Sequence, residues 1–77
     1  MDITIRYFGL LAEAVKKESE HVTTNAKTMF DLRKELEERY PYLQDKTFVM
    51  AQNNTIKSAH QELLEGEVAL FPPFSGG

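Results

Sequence analysis

The sequence predicts a two-layer α+β fold, with one amphipathic helix covering one face of a mixed sheet. Three observations predict it. Residues 2–7 alternate, with Ile3, Ile5 and Tyr7 pointing one way and Asp2, Thr4 and Arg6 the other, which is the period of a half-buried strand. Met29, Leu32, Leu36 and Tyr40 recur at i, i+3, i+7 and i+11 and so form one helical stripe. Short apolar runs bounded by turn residues fill the rest. Seventy-seven residues suffice for one domain.

Each element has its own signal. After the first strand, Phe8, Leu11, Ala12 and Val15 stand at helical spacing and predict a short helix within Phe8–Lys16. Glu18–Thr24 is a weaker strand, carried by Val22 and by β-branched Thr23 and Thr24. Thr28 caps the main helix, with Asp31 three residues on as a variant capping box. Pro41 stops that helix, because the residue before a proline avoids helical geometry. Thr47–Gln52 reads as a well-covered strand, Asn53-Asn54 as a tight turn and Thr55–Lys57 as a short returning strand. Ser58–Leu64 is expected to be a loop with one helical turn. Glu65-Gly66-Glu67 is a turn signal, and Val68–Phe71 is the last strand, ended by Pro72-Pro73. A β-grasp, the ubiquitin-like arrangement, satisfies this order. It assigns residues 1–71 to the domain and 72–77 to an extended C-terminal tail.

Composition narrows the function classes. The chain has no cysteine, hence no disulfide and no thiolate nucleophile. A formal charge of −3 argues against nucleic acid as a partner, since phosphate binding needs clustered Lys and Arg. The basic pairs Lys16-Lys17 and Arg33-Lys34 are each followed by a glutamate and read as solvated surface. No basic-then-apolar leader and no run of roughly 20 apolar residues is present, so a soluble, cytoplasmic protein without membrane association is expected.

The tail Phe71-Pro72-Pro73-Phe74-Ser75-Gly76-Gly77 reads as a chemical device. Prolines favour a stiff, extended exit. Gly76 and Gly77 make a thin tip that fits a narrow channel, and Phe74 is an apolar stop before it. The Gly77 carboxylate, ionised at pH 7, is a poor electrophile and needs conversion to an acyl-adenylate before attack. Gly9 and Gly66 match no nucleotide motif, so another protein must activate it, and any incoming sulfur must come from outside. Termini often end in glycine and serine for no such reason. The aromatic-proline-proline-aromatic element directly after a strand favours the chemical reading.

The tail, with Glu65-Gly66-Glu67-Val68 before it, resembles the small subunits of molybdopterin synthase, the sulfur carriers of molybdenum cofactor biosynthesis. Arg6-Tyr7-Phe8, Glu38-Arg39-Tyr40-Pro41 and Val49–Asn53 extend the likeness along the chain. The resemblance implies that a ubiquitin-activating-like adenylyltransferase uses ATP to adenylate Gly77. A sulfur donor, such as a cysteine desulfurase or rhodanese, then forms a thiocarboxylate. Phe74, Ser75 and Gly76 enter the synthase large subunit, where sulfur passes to cyclic pyranopterin monophosphate to build the dithiolene. It further implies a heterotetramer, no resident cofactor or metal, and no catalysis by this subunit alone. An apolar surface that docks both partners falls on Phe8, Ile56 and Phe71. For Phe71, at the end of an alternating strand, core packing is the competing role.

Other residues read as structural. His21 and His60 lack metal-ligand spacing, Ser75 is a spacer without a His or Asp partner, and Met29 and Met50 belong to the core. Glu37-Glu38 and Glu62, Glu65 and Glu67 form a solvated or partner-facing acidic surface. Alternative functions are a thiocarboxylate carrier for thiamin or cysteine synthesis, a ubiquitin-like modifier of lysines, or a simple interaction domain.

Overall fold

The computed structural model describes residues 1–72. Five strands, β1 (Asp2–Tyr7), β2 (Ser19–Thr23), β3 (Val49–Gln52), β4 (Thr55–Lys57) and β5 (Gly66–Phe71), form one sheet in the order β2-β1-β5-β3-β4. The central pair β1 and β5 is parallel, and the outer pairings are antiparallel. A short helix, α1 (Leu10–Val15), joins β1 to β2, and α2 (Met29–Arg39) covers one face. This is the β-grasp expected from the element order.

Alternation builds the core. Ile3, Ile5 and Tyr7 of β1, Val22 of β2, Met50 of β3, and Val68 and Leu70 of β5 all pack under Met29, Leu32 and Leu36 of α2. Leu11 and Val15 of α1 join from one side. Thr28 accepts from the Asp31 N–H at 3.2 Å, and Asp31 accepts from the Thr28 N–H at 3.3 Å, a reciprocal capping box. Asn53 and Asn54 take φ of 54° and 61° in the two-residue loop between β3 and β4, as a type I′ hairpin requires.

Several boundaries differ from the sequence reading. Phe8 does not belong to the first helix: its N–H donates to the Leu70 carbonyl, continuing the β1–β5 ladder, and the helix begins only after Gly9. Gly66 and Glu67 are not a turn outside the last strand but pair with Ile3 and Thr4 within it. Thr47 and Phe48 precede β3, with the Phe48 side chain buried. Tyr40 ends α2, and Pro41–Asp45 follows as a 3-10 turn that buries Leu43.

The 58–64 segment is a loop with one turn, closed by the Gln61 N–H on the Ser58 carbonyl at 3.1 Å. Carbonyls of Gln61 and Ala59 accept the first-turn N–H groups of Met29 and Phe30 at 2.9 and 2.8 Å. Two hydrogen bonds between the buried Gln52 side-chain amide and the Leu64 backbone, at 2.6 and 2.9 Å, pin the other end. Arg33 is less solvated than its basic pair suggested: it stacks over Phe48 at 4.5 Å and pairs with Glu37 at 3.2 Å.

Candidate functional site

The face of the sheet opposite α2 carries the outward residues of each strand. Register places Ile56 beside Ala51 and Ala51 beside Ala69, so a row of small and branched apolar groups crosses β4, β3 and β5. One step along, Val49 pairs with Phe71. Because the β1–β5 ladder continues through Phe8, strand alternation sets Phe8 on this same face next to Phe71. The result is a depression of about 730 Å³, lined by Phe8, Ala51, Ile56, Ala69 and Phe71, with Asn53, Asn54 and Glu67 at its polar edge.

Phe8 and Ile56 are 45% and 57% exposed, values that core side chains never approach. Phe71 is half-buried and stands outside the core cluster. The three residues named from the sequence, one from each of three segments, therefore meet on one surface. Sequence reasoning missed Ala51, Ala69 and the Asn53-Asn54 edge as parts of it. The alternation of β3 and β5 contained that signal: residues sharing parity with Phe71 line the face. Glu67 pairs with Arg6 at 3.4 Å, both well exposed, and marks the charged border.

The parallel β1–β5 pairing brings the C-terminal end of β5 to the Phe8 corner of this face. The chain leaves there through Pro72. Phe74, Ser75, Gly76 and Gly77 lie outside the described residues.

The strongest electrostatic cluster lies elsewhere, at the end of the covered face. Glu20 accepts from the hydroxyls of Tyr7 at 2.5 Å and Tyr40 at 2.8 Å. Arg39 and Lys17 approach its other oxygen at 3.5 and 3.6 Å. Partial burial works against ionisation of Glu20, but the two tyrosine hydrogen bonds and the two cations outweigh it and hold the carboxyl below its ordinary range. Burial, with the bond to Glu20, pushes the Tyr7 phenol far above its own. The rings of Tyr7 and Tyr40 meet edge to face at 6.3 Å. This cluster ties β1, β2 and the end of α2 together, and none of its residues lines the depression.

Of the residues set aside in the sequence, Glu67 lies at the edge of the depression and Ser75 outside the described residues, whereas the histidines and methionines do not line it. His21 is exposed beside Thr4 on the β2 edge, and His60 is exposed in the 58–64 loop. Among the described residues no group of three or more His, Cys, Asp or Glu is placed to hold a metal ion. Met29 and Met50 are core. No helix among the described residues is long and apolar enough to cross a membrane.

A five-stranded mixed sheet with a parallel central pair, one covering helix and an apolar outer face defines a ubiquitin-like β-grasp protein. The model of the ThiS family matches residues 5–77, and the chain belongs to that family of ubiquitin-like sulfur carriers. Among solved structures, it is similar to SAMP1 from Haloferax volcanii, at 24% identity over 100% of both chains with a TM-score of 0.81. A putative molybdopterin converting factor subunit 1 from Pyrococcus furiosus is 21% identical over 95% of this chain and 98% of its own, with a TM-score of 0.83. The complex of subunits 1 and 2 of the molybdopterin-converting factor from Helicobacter pylori 26695 contains a chain 25% identical over 100% of both, with a TM-score of 0.68. No curated protein sequence matches.

Proposed function

We propose that this carrier is the small subunit of molybdopterin synthase and that Gly77 is its reactive residue. The observation that carries the reading is that Phe8, Ile56 and Phe71 line one depression, with Phe8 and Phe71 at the corner where Pro72 leaves β5. A docking surface and a tail with a thin glycine end then belong to one device. The likeness to the subunit 1 chain of the Helicobacter pylori complex supports a large-subunit partner.

In this reading a ubiquitin-activating-like adenylyltransferase docks on the apolar face. The Gly77 carboxylate attacks the α-phosphorus of ATP, and pyrophosphate leaves. The terminal sulfur of a persulfide on a desulfurase or rhodanese displaces AMP to give an acyl disulfide. A thiol then attacks the donor's own sulfur, releasing the Gly77 thiocarboxylate and leaving a disulfide on the donor. The same face then docks the synthase large subunit. Phe74, Ser75 and Gly76 thread the tip to cyclic pyranopterin monophosphate, to which the sulfur is transferred, and hydrolysis regenerates the carboxylate. The chain supplies the scaffold, the docking face and the carrier atom; ATP and sulfur arrive as substrates, in a cytoplasmic heterotetramer.

Loading the carrier chemically as its Gly77 thiocarboxylate and mixing it with a synthase large subunit and the pterin tests the pathway. Formation of a dithiolene, with two carriers discharged per pterin, is the expected result. A loaded carrier that docks but leaves the pterin unchanged would remove the molybdenum assignment. The likeness to SAMP1 favours a second reading, a modifier joined to lysines. Isopeptide-linked adducts in extracts, lost on deleting Gly77, would mark that role.

A further inference from the structure

Beyond Tyr7 and Leu70 the parallel ladder has one more bond, from the Phe8 N–H to the Leu70 carbonyl at 3.0 Å. The next residues on the two chains are Gly9 and Pro72. Proline has no N–H to donate, so no ladder bond from its nitrogen fixes the chain there. What Pro72 touches fixes it instead. It is half-buried, and Gly9 lies against its ring.

Gly9 has φ 59° and ψ −135°, a conformation open to glycine and strained for residues with a Cβ. A Cβ at position 9 would stand 3.3 Å from Pro72 Cγ, so the ring would have to shift by a few tenths of an ångström, and 3.5 Å from Cδ, an ordinary contact. Gly66 supplies the contrast. It too has positive φ, at 128°, but a Cβ there would meet nothing within 4 Å. Both glycines answer a backbone demand, whereas Gly9 also makes room for a neighbour.

We propose that Gly9 is a positioning residue for the C-terminal segment. The bare position 9 is the berth of the Pro72 ring, and filling it redirects the chain as it leaves the sheet. The consequence for charging rests on the carrier reading. A tip that must reach a reacting phosphorus is sensitive to aim, since a misplacement of about 1 Å can cost roughly 100-fold in rate. The docking side chains Phe8, Ile56 and Phe71, by contrast, are not themselves substituted. Filling the berth therefore acts on kcat more than on KM.

The test uses the full chain, the purified adenylyltransferase and ATP, with pyrophosphate release as readout. Gly9→Val is expected to lower kcat about tenfold with KM changed less than about twofold. Gly66→Ala, which adds backbone strain at a positive φ of 128° without a clash, should leave kcat unchanged even where its melting temperature falls. Adding Pro72→Ala to Gly9→Val should restore most of the lost kcat. If Gly9→Val does not fold, Gly9→Ala replaces it and should show a smaller drop in kcat with the same rescue. A magnetisation-transfer contact between the Gly9 Hα and Pro72 ring protons in the free protein is expected independently of any enzyme. Wild-type kcat in the folded Gly9 variant, an equal loss in Gly66→Ala, or no such contact would overturn the proposal. Failure of the wild-type chain to be adenylated would instead strike the carrier reading, leaving the berth to the spectroscopic test.

Discussion

Glu20 occupies the Ile5 register position of β2, with its side chain only 12% exposed beneath two tyrosine hydroxyls. Replacing it by alanine strips both hydroxyls of their acceptor and should cost about 1–3 kcal/mol in denaturant unfolding at pH 7. Its titration has a definite sign. The folded carboxyl is held below an unfolded value near 4.3, so its stabilisation is present above about pH 4.3 and lost as pH falls through the lower folded value. Glu20→Gln should therefore flatten the acid limb of a stability–pH curve; an unchanged limb would show that Glu20 does not carry it. Tyr7 behaves in the opposite sense. Its folded phenol stays protonated, so its stabilisation is full below about pH 10 and declines as pH rises beyond. Tyr7→Phe should remove that part of the alkaline loss. Neither role was legible in the sequence. Tyr7 was placed correctly on the inward side of β1 and Glu20 within the second strand, but only the β1–β2 register brings them together.

At the scale of elements, α2 and its cap were the most readable part, because the stripe and the Thr28–Asp31 spacing are local signals. Thr28→Ala should cost about 1 kcal/mol in thermal or denaturant unfolding, and a loss near zero would show that the 58–64 loop alone satisfies the helix start. That loop was the least readable, since non-local hydrogen bonds to α2 and Gln52 set its course. The Phe8 error has the same origin. Its helical spacing with Leu11 and Val15 is real, but the bond to Leu70 draws it into the sheet. That displacement is what presents Phe8 beside Phe71. Phe8→Glu and Ile56→Asp, both at exposed positions, should leave the melting temperature within a few degrees. Each should weaken binding to the adenylyltransferase at least 30-fold by calorimetry, the scale of an interface hot spot at about 2 kcal/mol. Wild-type affinity in both variants would exclude the depression as the docking surface.

The whole molecule is a sheet with two different faces. One is sealed by α2. The other gathers apolar residues at the corner where the parallel β1–β5 pair delivers the chain to Pro72. The β-grasp was legible because the run of strand and helix signals leaves few two-layer arrangements, whereas the breadth of the outer face depended on register. Membership of the ThiS family agrees with the resemblance read from the C-terminal residues. The central functional claim concerns Gly77, and intact-mass spectrometry tests it most directly. The chain is incubated with ATP, the adenylyltransferase and a sulfur donor, beside a variant with one alanine appended after Gly77. The account predicts exchange of a single oxygen for sulfur at the C-terminus of the wild-type chain and none in the extended one. An unchanged wild-type mass under conditions that load a known carrier, or equal loading of both chains, would contradict it.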